Sequence, residues 1–414
     1  MKDFIKISFR NLLRYKRRTL LTGISILLGG FILTFGQSLG DGVEKQLSLN
    51  IISADSGHVL GTLNNDLSEN NTTVQVGNWK KQLIKKPSEI ESVLSKQEEV
   101  SSVSKRIYIN GMLSNGAKTS MEVVIGIEPE KEKDLFEKII PVDKGSILKQ
   151  NNEHPGIYIS HTVSDINNVD VGDDLKVITQ DIDGKANVLD CKVQGIFKKS
   201  PLKEYYAYIT LDNAQKLGRV GEGITQFKIM LHNQSMSKAT AVKLQDELGT
   251  KFNMKFKEWE AAGGFLMGSV LIARVMVVIL CIILFLVVAT ILMNTMSMAV
   301  FERTKEIGTI MAIGTKKKQV LTLFLLESTM LGITAAGLGV VLGSAISLIL
   351  GKYGIPAVTE SLALGFGADH AYPYLTTTNV ILSFLIVVAL TIFATLAPAI
   401  KASRMEPVKA LTNN

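Results

Sequence analysis

Apolar residues are laid out along this 414-residue chain in two patterns. The first is the long run without charge: Thr19 to Gly40, Val275 to Phe301, Ser328 to Gly351 and Ala371 to Ile400, bounded by Arg18, Asp41, Arg274, Glu302, Glu327, Lys352, His370 and Lys401. About 20 apolar residues in a helix cross a hydrocarbon core about 30 Å thick, and each run reaches that length. One such run could be a buried core helix; four, each flanked by charge, predict four spanning helices. The second pattern is short and of period two, in RIYINGML, MEVVIGI, GIYIS, DLKVITQ, CKVQGIF, YYAYIT and QFKIML, with helical spacing around SEIESVLSK and SMSKATAVKLQDELG. Asp183-Gly184 predicts a hairpin turn. The predicted fold class is therefore a membrane protein: four transmembrane helices with a large α+β extracytoplasmic domain, of one or two subdomains, between helices 1 and 2.

Charge sets the orientation, because Lys and Arg near span ends resist translocation. Lys2, Lys6, Arg10, Arg14, Lys16, Arg17 and Arg18 precede the first span; Arg303, Lys305, Lys316, Lys317 and Lys318 lie between the second and third; Lys401, Arg404 and Lys409 follow the fourth. Both termini and the segment 302–327 are thus expected in the cytoplasm, with 41–260 and the short loop 352–370 outside. Residues 41–260 carry 28 basic and 31 acidic side chains, net −3, whereas the rest of the chain is net +10. The basic excess belongs to the inner membrane face and argues against nucleic-acid binding. Within 1–18, Ile5, Phe9, Leu12 and Leu13 share one helical face and Lys6, Arg10 and Arg14 another, an amphipathic elbow along the inner leaflet. The first run is too long for a cleaved leader and is expected to remain as span 19–40. Helical spacing continues through Val43, Leu47 and Ile51 as a stalk, Arg274 marks the outer end of span 275–301, and spans 328–351 and 371–400 lead to a tail at 401–414. The polar stretch 61–78 reads as a loop.

Catalytic patterns are missing from the sequence. There is no G-x-x-x-x-G-K-[ST] phosphate loop, since GTKKK lacks the first glycine and the hydroxyl, and no G-x-S-x-G. His58, His154, His161, His232 and His370 are scattered, and His161 with Asp165 reads as a surface pair. No metal site is expected. Cys191 and Cys281 lie in different environments and are not expected to pair. In the third span Ala335, Gly339, Gly343 and Ser347 recur every four residues, a stripe suited to close helix packing within the chain or between subunits. Asn294 is expected to pack across helices.

The segment Phe301 to Val320 sits between two spans yet is amphipathic. Ile307, Ile310 and Met311 form an i, i+3, i+4 stripe, Glu302, Arg303, Lys305 and Glu306 the polar side, and Gly314-Thr315 a helix end and new N-cap. A short helix with an apolar ridge and mixed charge is shaped to dock on a protein.

ERTKEIGTIMAIGTKKKQVLTLFLLES resembles the signature of ABC-transporter permeases of the MacB/LolE/FtsX type, RNLLRYKRRTLLT their N-terminal elbow and PAIKASRMEPVKAL their C-terminal tail. SGHVLG and GIYIS are similar to the lipoprotein-releasing LolC/LolE relatives. The order of one span, a large external domain and three spans matches that family along essentially the whole chain. The resemblance implies a permease subunit of an ATP-driven mechanotransmission complex, acting on lipoproteins or other amphiphiles at the outer face of the cytoplasmic (inner) membrane. It implies a dimer of separate ABC ATPase subunits holding ATP and Mg, no cofactor in this chain, and a second permease copy or paralogue. Membrane lipid and a lipoprotein or periplasmic carrier or adaptor complete the implied partners. Glu302, Arg303, Glu306, Ile307, Gly308, Ile310, Met311 and Gly314 would be the coupling contacts. MacB-like drug or peptide efflux and FtsX-like control of an external cell-wall hydrolase are the alternative functions; FtsX-like chains usually have smaller external domains.

Overall fold

The computed structural model describes residues 16–64, 76–149 and 154–405, with Arg10 and Arg14. The remaining elbow residues, the middle of the polar stretch 61–78 and the end of the tail lie outside the described residues. The chain divides into two compact units, one of residues 1–43, 271–355 and 371–414, the other of 44–270 and 356–370.

The first unit is helical. Its elements are α1 (Lys16–Asn50, whose last turns belong to the second unit), α2 (Gly264–Glu302), α3 (Thr304–Ala312), α4 (Lys317–Tyr353) and α5 (Thr377–Ser403). All but α3 are long and apolar enough to cross a membrane. Helices satisfy their backbone polar groups internally, the condition for crossing lipid. Ile26, Val288, Leu292, Ala335, Ala336, Val387, Leu390 and Ala394 interlock at the centre, and Leu271, Leu286, Val341, Leu348 and Phe393 face outward. The start of the predicted fourth span, from Ala371, is not helical: α5 begins after Thr376, whose hydroxyl accepts the Asn379 N–H at 3.2 Å. Asn294 is exposed on α2, not packed across helices.

The small-residue stripe of α4 lies against α1. A Cβ on Gly339 would fall on the Leu27 carbonyl, and one on Gly343 would come within 3.1 Å of the Thr34 side chain. Ala335 and Ser347, above and below, are buried. Gly30 on α1 meets the Ala336 carbonyl in the same way, at 3.2 Å from a Cβ position, so both backbones contribute to the close approach.

Among the described residues the second unit is built on a sheet of ten strands: β1 (Val59–Leu63), β2 (Val100–Ser114), β3 (Thr119–Ile127), β4 (Val142–Gly145), β5 (Gly156–Ser160), β6 (Asp174–Gln180), β7 (Ala186–Phe197), β8 (Tyr206–Thr210), β9 (Gln226–Leu231) and β10 (Met254–Glu258). Their order is β10-β1-β9-β2-β3-β8-β5-β7-β4, and β6 joins β7 back to β2. The strands β2-β3-β8-β5-β7-β6 therefore close into a ring, while β9, β1 and β10 extend from β2 as an open sheet. β2 makes both: Val100 to Arg106 pair with β9, and Ile107 to Ser114 pair with β3. Two buried clusters follow, a large one including Trp79, Leu94, Ile107, Val124, Leu217 and Phe227, and a smaller one around Tyr158, Phe197 and Tyr208.

All seven predicted strand runs lie in strands, and Asp183-Gly184 turns β6 into β7, with Gly184 at φ 85°. Strands β1, β4 and β10 were missed. β1 is interrupted by Gly61, where the Phe256 ring would stand 3.1 Å from a Cβ, and β4 is largely exposed, so neither shows a period-two signal.

Candidate coupling site

Arg303 separates α2 from α3 with a non-helical backbone (φ −103°, ψ 11°). Successive helical residues turn by about 100°, so Met311 lies about 40° from Ile307, whereas Ile310 lies about 60° to the other side. The structure buries Ile307 and half-buries Met311. Ile307 and Gly308 are enclosed, and Met311 packs with them against Met296, Ala299, Val300, Val320, Phe324, Ala399 and Ala402 of α2, α4 and α5. The predicted docking ridge is thus corrected: Ile307 and Met311 belong to the unit's own core. The outward apolar surface is Ile310 with Ile313, 44% and 82% exposed, the second not anticipated from the sequence. Glu302, Lys305, Glu306 and Gly314 are exposed around them.

Arg303, expected on the polar side, is also turned inward. Its Nη1 donates to Glu327 Oε2 at 3.0 Å, and both side chains are only 4% exposed. Removing two charges from water is costly unless each offsets the other, so this pair ties the root of α3 to α4. Glu327 looked like a boundary charge before the third span. Because α4 starts at Lys317, the carboxylate stands three turns inside a helix. Ser328, Thr391, Thr395, Thr19 and Thr22 line a cavity of about 20 Å³ beside it, and Thr395 Oγ1 donates to Ser328 Oγ at 2.9 Å.

Gly314, at φ 109°, ends α3 as expected, with the Thr315 N–H bonded to the Ile310 carbonyl at 3.2 Å. The next N-cap is Lys316, not Thr315: Gln319 Oε1 accepts the Lys316 N–H at 2.8 Å. Glu306 meets Arg14 at 3.4 Å, and Lys401 stands 5.2 Å over the Phe301 ring. His161 and Asp165 form the expected exposed pair at 3.1 Å. Among the described residues no group of His, Cys, Asp and Glu is arranged to hold a metal ion.

The MacB-like periplasmic core domain family matches residues 19–247, more than half of the chain, and the FtsX-like permease C-terminal family matches residues 276–407. The chain belongs to the ABC permeases of the MacB/FtsX family. As one of these permeases it is a multi-pass membrane protein, and α3 with its Arg303–Glu327 root lies in the FtsX-like part. Among curated relatives, the ABC transporter permease YtrF of Bacillus subtilis (strain 168) is 30% identical over 120 residues, 28% of this chain and 27% of its own. The pyoverdine export ATP-binding/permease protein PvdT of Pseudomonas fluorescens is 40% identical over 123 residues, and the macrolide export ATP-binding/permease protein MacB of Chlorobium phaeobacteroides 36% over 120; each match covers 29% of this chain and 16% of the relative. The chain thus spans well under a third of the length of these relatives. The solved periplasmic region of MacB from Actinobacillus actinomycetemcomitans covers 51% of this chain and 92% of its own, at TM-score 0.36 and 14% identity. The extracellular domain of YknZ from Gram-positive bacteria covers 48% and 98%, at TM-score 0.34 and 15% identity.

Proposed function

We propose that the chain is the permease subunit of an ATP-driven mechanotransmission complex, acting on lipoproteins or other amphiphiles at the outer face of the cytoplasmic membrane, with both termini and α3 on the cytoplasmic side. The observation that carries this reading is the division of α3. Ile307, Met311 and Arg303 root it in its own bundle, while Ile310 and Ile313 stand outward among Glu302, Lys305 and Glu306. A helix held this way passes a push on its outer face to α2 and α4. The centre of the helical unit is filled by Ile26, Leu292, Ala336 and Val387, which favours transmitted motion over a polar channel. In this reading ATP and Mg belong to a partner ABC ATPase dimer working with two permeases, this one and a second copy or a paralogue; the pyoverdine- and macrolide-export relatives, named as ATP-binding/permease proteins, support an ATPase in the complex. An apolar recess of about 440 Å³ lined by Ile32, Leu33, Ile282, Phe285 and Ile386 suits an acyl chain and supports an amphiphilic substrate.

The test is an ATPase pull-down with the Ile310→Asp, Ile313→Asp double variant. Both side chains are exposed in the free chain, so the variant leaves the core intact. Each apolar side chain buried at an interface contributes on the order of 1.5 to 3 kcal/mol, so affinity for the ATPase is expected to fall at least tenfold. Parent-like affinity would remove the docking role of α3. Mass spectrometry of the purified parent complex is expected to find an acylated protein. A bound small drug or peptide would replace the lipoprotein reading with export, and a co-purifying cell-wall hydrolase would replace it with regulation.

A further inference from the structure

A buried charge cluster in the second unit closes on the end of α1. After Asn50 the chain makes one π-helical turn, Ile51–Ser56, which stops at Gly57 (φ 68°) and leaves the carbonyls of Ser53, Ala54 and Asp55 without backbone partners of their own helix. Side chains from two distant strands take them up. From β2, Arg106 Nη1 donates to the Ala54 carbonyl and, at 3.4 Å, to that of Asp55. From β9, Lys228 Nζ donates to the Ser53 carbonyl at 2.6 Å, and Gln226 Nε2 to the Asp55 carbonyl at 3.0 Å. Lys203 meets the Asp55 carboxylate at 2.7 Å. Glu132 joins the two cations, receiving Arg106 Nε at 2.7 Å and Nη2 at 2.8 Å, and Lys228 Nζ at 2.6 Å. Arg106, Lys228, Lys203 and Glu132 are each no more than 3% exposed.

Three buried cations here face two carboxylates, Glu132 and Asp55. The excess positive charge is balanced by the carbonyl end of the helix, the negative end of its dipole. The network is therefore complete only while the helix end is seated: withdrawing it would leave buried charge without compensation. Arg106 also occupies a particular place in the sheet. It is the last β2 residue paired with β9, and its neighbour Ile107 is the first paired with β3, so it stands where the open sheet and the closed ring share one strand.

We propose that Arg106, Glu132 and Lys228 are positioning residues forming a coupling joint, which makes an axial displacement of α1 carry the open sheet and the ring with it. The inference rests on the mechanotransmission reading above and says where motion enters the external unit.

The experiment uses the full chain reconstituted with its ATPase in liposomes, with Cys191 and Cys281 replaced by Ala and a fluorophore on Met121→Cys, a ring residue 74% exposed. Energy transfer to acceptor lipids in the outer leaflet reports displacement of the ring when ATP and vanadate are added. The joint is removed by Arg106→Met, Glu132→Leu and Lys228→Met together, which replaces buried charge with apolar volume and preserves packing. A second form carries Ser53→Cys and Lys228→Cys with Arg106→Met and Glu132→Leu; the exposed Met121→Cys is labelled first through a maleimide thioether, which survives reduction, and the cysteines at 53 and 228, positions 2% exposed in the parent, are then closed by a short bis-thiosulfonate linker. The parent is expected to shift on nucleotide trapping, the apolar variant to lose at least half of the shift, and the linked form to regain it until the linker is reduced. A parent-sized shift in the apolar variant overturns the joint alone. A parent without a shift overturns the mechanotransmission reading and the joint with it. If the apolar variant does not fold, the linked form decides: a shift that survives reduction of the linker overturns the joint, and a shift lost on reduction supports it.

Discussion

A lysine ammonium enclosed by protein loses its hydration, and whether it keeps its proton depends on its neighbours. At Lys228 burial pushes the pKa down, the Glu132 carboxylate opposes this, and the Arg106 guanidinium adds to the lowering; the group comes to about 8 from its ordinary 10.5. Burial pushes the Glu132 carboxyl up, but Arg106 and Lys228 outweigh it and hold it below the usual range. For Lys228 the folded value lies below the unfolded one, so between about 8 and 10.5 the unfolded chain binds more protons. Stability contributed by this residue therefore rises with pH across that window. The thermal midpoint of the parent minus that of Lys228→Met, each measured in detergent at pH 7 and pH 9.5, is expected to increase. A difference that is flat or falls with pH would contradict the sign.

At the scale of elements, the contact between α1 and α4 is made by missing side chains. A Cβ at Gly339 has no room beside the Leu27 carbonyl, whereas Gly36 on the same α1 has nothing within 4 Å of a Cβ position. Gly339→Val should force the helices apart at an overpacking cost of about 1 to 3 kcal/mol. Gly36→Ala should gain up to about 1 kcal/mol through helix propensity. Thermal unfolding of the two variants in detergent is expected to move in opposite directions; a Gly339→Val protein as stable as the parent would show that the close approach is absent. Element boundaries follow the same local logic. Thr376 starts α5 because its hydroxyl caps the helix, which a hydropathy count from Ala371 does not see.

For the whole molecule, the asymmetry of Lys and Arg predicts which surfaces reach the cytoplasm. On a background without Cys191 and Cys281, a cysteine at Ser235 should react with an impermeant thiol reagent in intact cells once any outer membrane is breached, and one at Lys317 only after lysis. Reaction at Lys317 from outside would invert the orientation and remove α3 from the reach of any cytoplasmic ATPase.

Hydropathy run length and period were sufficient for the four spanning helices and for seven of the strand runs, because both depend on residues close in the chain. The α3 segment was legible for the same reason: Gly314 and the Ile307 spacing mark a short amphipathic helix. Which side of that helix faces outward was not, since Ile307 and Met311 are claimed by Phe324, Ala399 and Ala402 from α4 and α5, far away in sequence. Arg303 looked like part of the polar side of that helix and Glu327 like a span boundary, and only the fold pairs them. The same holds for Arg106, Lys203 and Lys228, ordinary charges in strand and loop segments until β2, β9 and two loops converge on the end of α1. Local sequence determined helices and strands through periodicity. Tertiary structure alone decided which charges are buried together, because desolvation depends on what surrounds a residue in space.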